Sequence, residues 1–304
     1  MSKRGVREIL TTGGVQVRIL RSLAFGCVPL AFSEVEPTRD YITPSIAMLW
    51  LAVCVIFVLG TLLHLSIKKR WLQKHNREVQ AYAKEHRLST NVGKQTALQR
   101  TNLLRTRYEA IQNGVRGRDW LFFEHIHIFT NVVPLGVSTE PMGKIYSAVM
   151  STDLPQAFPN IFFSSSKHGR ARRVSLERSQ RRRFGNDIDK NFTSFFSGDS
   201  TPDSVGFVSD KMTAALCAAS EYDIEIYQNH LTLHSPLLDP NEQIPDMAAK
   251  LGAIKEALVG SLSLHRTELP ESNAELPILK RRNSMGTLIL YGILVVLIVI
   301  LWIT

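Results

Sequence analysis

Cysteine is scarce in this chain. Cys27, Cys54 and Cys217 are the only three in 304 residues, and no two share a CxxC spacing. That excludes a disulfide framework and a cysteine-built zinc site. Glycine-rich phosphate loops are missing too: Gly93-Lys94-Gln95-Thr96 lacks the preceding glycine and strand that a P-loop needs. No nucleophile elbow and no dinucleotide fingerprint occurs, so no cofactor is implied. With 13 prolines and 18 glycines the chain is not collagen-like, and 44% apolar content excludes a wholly disordered one. Acidic residues fall short of basic ones, 27 against 36, for a net charge of +9. An excess of that size suits an anionic partner, which composition alone leaves open among nucleic acid, a membrane surface and an acidic protein.

Two long uncharged apolar runs are present. Residues 45–67 are 23 positions without a formal charge, and residues 285–304 are 20 more. A helix rises ~1.5 Å per residue, so each run can cross a hydrocarbon core of ~30 Å. Both are predicted to be transmembrane helices. A buried core helix usually carries polar residues over such a length, whereas between Leu288 and Trp302 only Tyr291 and Gly292 interrupt Leu, Ile and Val. Lys68, Lys69, Arg70, Lys74 and Arg77 follow the first run, and Lys280, Arg281 and Arg282 precede the second. The positive-inside rule therefore places residues 68–284 in the cytoplasm and both termini outside, in a two-span cell-membrane protein. Residues 1–44 read as an extracytoplasmic tail. Their basic start, the apolar stretch 23–32 and Ala31-Phe32-Ser33 also resemble a signal-peptide layout, and a mis-assigned start is the third reading.

Between the spans the period of the apolar residues changes twice. Residues 68–119 carry 13 basic against 4 acidic side chains and are predicted to form juxtamembrane helices. The first continues the membrane helix through about His86, with Trp71, Leu72, Val79 and Tyr82 interleaved among charges. After a break at residues 89–93, Ala97, Thr101, Leu104, Tyr108 and Ile111 recur at spacings of four, three, four and three, with Gly114 as a stop. From Trp120 the pattern turns extended. Residues 120–129, 145–150, 161–165, 192–196, 205–208, 223–227 and 231–234 are expected as strands, the last two as a hairpin around Gln228-Asn229-His230. Ser209 N-caps a predicted helix running to about Ser220, with Met212, Ala215, Leu216 and Ala219 on one face. A last amphipathic helix within 239–265 follows Pro245 and carries Ile244, Met247, Leu251, Ile254 and Leu258, before a linker at 266–284. The expected fold is thus an α+β cytoplasmic domain, residues 120–238, with a mixed or antiparallel sheet and flanking helices, held between two transmembrane helices.

Ser175-Leu176-Glu177-Arg178-Ser179-Gln180-Arg181, followed by Asp187, Asp189, Lys190, Phe192 and Thr193, resembles the central signature of an uncharacterised family of bacterial membrane proteins, a domain of unknown function. The resemblance continues through Ser209-Asp210-Lys211-Met212 and from Asp223 to Ser235, and covers about 120–236 plus the last 25 residues. Gly185, Asn186 and Ile188 depart from the family pattern, which has glutamate, glycine and phenylalanine there. The resemblance implies the domain layout and a membrane setting, and no reaction.

Two features bear on chemistry. His125 and His127 alternate along a predicted strand and could point two imidazoles at one metal, with a third ligand from Glu177, Asp187, Asp189 or His168. Two ligands are too few for a site, and a solvated strand face is the simpler reading. The same holds for His230 and His234, taken as an exposed hairpin face, and for Asp187 and Asp189, taken as turn formers. The second feature is the basic run Arg170, Arg172, Arg173, Arg178, Arg181, Arg182 and Arg183. It reads as a solvated segment or as a contact for anionic lipid headgroups, together with Lys68, Lys69, Arg70 and Lys280 to Arg282. Nucleic acid ranks last because no aromatic residues interleave the arginines. The functional expectation is a non-enzymatic interaction or scaffolding module bound to the bilayer and to an unidentified protein partner. Its rival is a membrane-bound metal-dependent enzyme using His125 and His127.

Overall fold

The computed structural model describes residues 44–102, 109–133, 136–167, 176–198 and 209–264. Helix α1, Pro44–Glu85, runs unbroken for 42 residues. Its two halves meet different surroundings. Met48, Leu49, Val53, Ile56, Leu59, Leu62 and Leu63 are all more than 40% exposed, an apolar surface that the other described residues leave open and that a bilayer would cover. Further along, His75, Val79 and Ala83, spaced every fourth residue on one stripe, are 0–2% exposed against the domain. Among the described residues this is the one helix long and apolar enough to cross a membrane, with a mean hydropathy of 2.4 in its best window. The predicted second span lies outside the described residues, as do the N-terminal tail, the linker and the strand expected at 205–208.

The six strands among the described residues form one antiparallel sheet. Strand β3, Gly136–Ser165, is its spine. One edge of β3 pairs first with β2, Leu121–Val133, and then with β5, Phe192–Phe196; β6, Asp223–Pro236, runs along the other. β1, Glu109–Arg116, lies outside β2, and the two-residue β4, Arg181–Arg182, outside β5. One face of the sheet carries Phe122, Ala148, Met150, Phe163, Leu231 and Leu233 against α1 and α5, Pro240–Leu264. On α5, Ile244, Met247, Leu251, Ile254 and Leu258 are all 0–1% exposed, as their spacing predicts. The other face carries Leu121, Phe123 and Val149 under Ala97 of the short helix α2, Lys94–Leu98.

Several boundaries differ from the sequence expectation, each for a physical reason. The strands at 145–150 and 161–165 are one strand, bulged between Asp153 and Ile161 where Pro155 and Pro159 break the ladder. The expected hairpin at Gln228 is that same bulge seen from the partner: the extra residues lie in β3, and β6 continues opposite them with Gln228 at φ 53°. The helix expected to reach Ile111 stops at Leu98, and Ile111 pairs instead with His125 in β1. Gly114 is no helix stop; a Cβ there would fall 2.4 Å from the Val92 side chain, so the strand needs glycine to let residue 92 cross it. Helix α5 begins before Pro245, with Pro240 in its first position, where a missing N–H costs nothing. Helix α4, Asp210–Ala218, is capped as expected, the Ser209 hydroxyl accepting from the Met212 N–H at 3.2 Å. A five-residue helix α3, Asp187–Asn191, precedes β5.

Candidate functional site

The histidines expected to mark a site separate in the fold. His125 is 1% exposed on the face that α2 covers, so it does not lie on a solvated strand face. The backbone of His127 pairs with Glu109 and Ile145, and its side chain lies outside the described residues, as does all of His168. The proposed third ligands serve other ends. Asp187 pairs with Lys190 at 2.6 Å on the surface, and the Asp189 carboxylate accepts from the N–H groups of Phe184 and Gly185. Among the described residues no three His, Cys, Asp or Glu side chains gather as a metal site would require.

Two glutamates that looked like ordinary strand residues instead anchor buried polar networks. Glu124 in β2 is 0% exposed, and its neighbour across the α1 interface is His75, whose Nε2 lies 2.7 Å from Oε1. The other oxygen accepts from Gln112 of β1 at 2.8 Å, and Asn113 donates to Asn76 of α1 at 2.7 Å. Trp71 stacks on the His75 ring at 4.9 Å. One turn nearer the membrane half, Lys68 sits 5.7 Å from the centre of the Tyr146 ring, and burial, with the Glu124 charge behind it, holds the Tyr146 hydroxyl above its ordinary pKa. The lower half of α1 is thus held to the sheet by polar contacts as well as by apolar packing.

Glu225 in β6 anchors the opposite face. Its carboxylate accepts from the Thr101 hydroxyl, from the Asn102 N–H at 2.9 Å and from His234 Nε2 at 3.2 Å, with Glu225 and Thr101 both 0% exposed. His234 is 6% and Thr232 0% exposed, which corrects the expectation of a solvated hairpin face. The bulge at Gln228 is the cause: it shifts the alternation by one, turning Thr232 and His234 to the side that residues 97–102 cover. Neither pair reaches solvent, so neither can exchange a proton with a substrate as the structure stands. Their chemistry is that of clamps. An acidic residue within an aromatic or β-branched run, as in Phe123-Glu124-His125 and Ile224-Glu225-Ile226, is the sequence signal that would have found both.

A third polar group lies at the rim. Arg100 bonds Asp153 at 2.9 Å, and His230 Nδ1 lies 2.9 Å from the same carboxylate. Burial, reinforced by Arg100, holds the His230 imidazole below its ordinary range against the pull of Asp153. Asp153 is raised by burial but lowered further by Arg100 and then by His230, for a net depression. Both groups bind protons more readily when the chain is unfolded, so stability rises with pH across their windows. The His230 contribution is complete above about pH 6.5 and is lost below it, and Asp153 adds a second loss below about pH 4. The melting temperature of the full chain in maltoside micelles should therefore fall from pH 7.5 to 5, and His230→Gln should flatten that slope. A slope unchanged in the variant would refute the assignment.

The basic residues fall into three groups. Lys68, Lys69 and Arg70 lie on α1 where its exposed apolar half ends, with Lys69 and Arg70 exposed. Arg181, Arg182 and Arg183 lie at the β4 edge of the sheet, Arg181 and Arg183 exposed. Arg170, Arg172, Arg173, Lys280, Arg281 and Arg282 lie outside the described residues. Cys217 is half-buried, 3.6 Å from Asn191 Nδ2.

No protein-family model matches the sequence. No curated protein matches it either. Among solved structures, the crystal structure of the mycobacterial trehalose monomycolate transport factor A, TtfA, superposes with a TM-score of 0.39 and 10% sequence identity, over 60% of this chain and 94% of that chain.

Proposed function

We propose that the protein is a two-span membrane protein working as a non-enzymatic interaction or scaffolding module, its α+β domain at the cytoplasmic face and both termini outside. The observation that carries this reading is the continuity of α1. One helix passes without a break from an exposed apolar surface into a half locked to the sheet by the His75–Glu124 pair. A domain mounted so has a fixed orientation to the bilayer, which suits presenting a surface to a partner. Lys68, Lys69 and Arg70 then stand at the headgroups, where each basic residue contributes about 1 kcal/mol on an anionic leaflet. The second span, 285–304, is read from composition and from its flank Lys280, Arg281 and Arg282. A periplasmic-type reporter fused after Thr304 should be active, and a cytoplasmic reporter there inactive; the reverse would overturn the orientation. A photo-crosslinker at exposed Ala253 of α5 should trap a discrete protein partner, and recovery of lipid adducts alone would remove the scaffolding role.

A further inference from the structure

One stripe on the membrane half of α1 does not share the exposure of its neighbours. Cys54 is 7% exposed, while Val53, Val55 and Ile56 beside it are 51%, 44% and 68% exposed. Leu51, Val58 and Leu65 are half-buried. Those four positions fall at spacings of three, four and seven, and the series runs on through Leu72, His75 and Val79. They therefore continue, toward the membrane, the face of α1 that meets the sheet lower down. The domain core does not extend so far. The α1 residues packed in it are Trp71, Leu72, Val79, Tyr82 and Ala83, and Trp71, the first of them, stands ~25 Å along the axis from Cys54.

The stripe sets the size and chemistry of what fits it. From Leu51 to Leu65 it runs ~21 Å, which takes an apolar helix of about 14 residues at ~1.5 Å each. A charged side chain at that depth would be costly. The structure holds one chain, so the burial of Cys54 arises within that chain and not from a second copy. Outside the domain two apolar stretches remain. Residues 23–32 reach only ~15 Å as a helix and are interrupted by Gly26 and Pro29. Residues 285–304 are 20 positions without a charge. Residues 265–284, between the end of α5 and that run, span up to ~66 Å at ~3.3 Å each, enough to return the chain to the bilayer. Lys68 and Arg282 end the two charge-free runs on their basic sides, and Cys54 is as many residues from Lys68 as Val296 is from Arg282.

We propose that the stripe of Leu51, Cys54, Val58 and Leu65 is the docking face for residues 285–304, seated on it as an antiparallel helix with Val296 level with Cys54. The inference rests on the two-span reading and adds to it which face of α1 the second span takes. Cys54 is a free thiol and supplies the probe. In the full chain carrying Cys27→Ser and Cys217→Ser, single cysteines replace residues 291–301 one at a time, and a protease site is inserted after Ser272. Membranes of the expressing cells are oxidised with copper phenanthroline and cleaved, so that a disulfide to Cys54 holds the two fragments together on a non-reducing gel. A disulfide needs Cα atoms within about 7 Å, and helix axes pack about 8–10 Å apart, so only positions facing Cys54 can bridge. Yields should peak near Val296 and recur three or four residues apart, about fivefold or more above the positions between them. Because the scan reads a pattern, one variant that fails to accumulate does not hide it. Moving the thiol to the opposite side of α1, by Cys54→Ala with Ile56→Cys, should lower the peak yields by a similar factor. Flat yields along the scan, or peaks undiminished with the thiol at position 56, would overturn the seating. So would a disulfide-linked dimer of the chain whose one cysteine is Cys54, which would put a second copy on the stripe. A Cys27–Cys54 bridge in the Cys217→Ser chain would put residues 23–32 there instead and overturn it too. A flat scan with the reporter after Thr304 active outside removes the docking face alone, whereas a cytoplasmic reporter removes the two-span reading and the docking face with it.

Discussion

Replacing Glu124 with alanine is expected to destabilise the domain by about 3 kcal/mol, the cost of removing one member of a buried hydrogen-bonded network and leaving its partners unsatisfied. Glu124 is 0% exposed and its partner His75 2%, so water cannot take over the lost contacts. His75 Nε2 loses its 2.7 Å partner in a site closed to water. Gln112 also loses its 2.8 Å acceptor and retains only a long 3.5 Å contact with Asn76. The effect should concentrate where the network acts. Residues 68–85 of α1 are held to the sheet by His75 and Asn76 beside Val79 and Ala83, so protease cleavage within that segment should accelerate in the variant. Glu124→Gln keeps an acceptor and the volume, and should cost about 1–2 kcal/mol. A double-mutant cycle with His75→Ala should show a coupling energy of about 1 kcal/mol or more. Additive effects, or a Glu124→Ala variant within 0.5 kcal/mol of the parent, would remove the clamp from the account.

How far the sequence foretold this arrangement depends on what each element's signal rested on. Where one face of an element is apolar and the other solvated, periodicity sufficed. The α5 stripe from Ile244 to Leu258, the Ser209 cap and the continuation of α1 through Val79 all stand where their spacing put them. It failed where polar residues are buried by neighbours distant in sequence. Gln228-Asn229-His230 carries turn composition, yet β3 supplies a matching bulge at Asp153 to Phe158, and a continuous strand loses fewer backbone hydrogen bonds than a hairpin cut off from β3 would. Ala97, Thr101 and Ile111 share a helical spacing by coincidence of two unrelated burials: Ala97 and Thr101 cover one face of the sheet, while Ile111 belongs to β1. The same limit hid the two carboxylates. Thr101 and Glu225 are 124 residues apart, His75 and Glu124 are 49, and no local pattern encodes either meeting. His125 and His127 drew notice as a pair because strand alternation is local, although the fold buries His125 among Leu121, Phe123 and Val149.

Glu225→Ala is expected to have the other large effect, again about 3 kcal/mol or more, through the opposite face. The segment 97–102 crosses the sheet there with little apolar area of its own: Ala97 is its buried side chain in the small cluster of Leu121, Phe123 and Val149. What fixes its end is polar. Glu225 takes the Thr101 hydroxyl and the Asn102 N–H, and Thr232 donates to the Arg100 carbonyl at 3.0 Å. Without the carboxylate a backbone N–H, a hydroxyl and the His234 imidazole lose an acceptor together, each in surroundings that exclude water. Amide exchange at Asn102 should rise by about a hundredfold or more if opening of the segment becomes cheaper by roughly 3 kcal/mol. Exchange in α5, which packs on the other face, should rise only as far as global stability falls. Thr101→Val removes one donor at equal volume and leaves the rest, so its cost should stay near 1 kcal/mol. If Glu225→Ala changed α5 and Asn102 to the same degree, the carboxylate would be part of the general core. A selective loss at Asn102 instead makes it the latch that keeps residues 97–102 over His234 and Thr232.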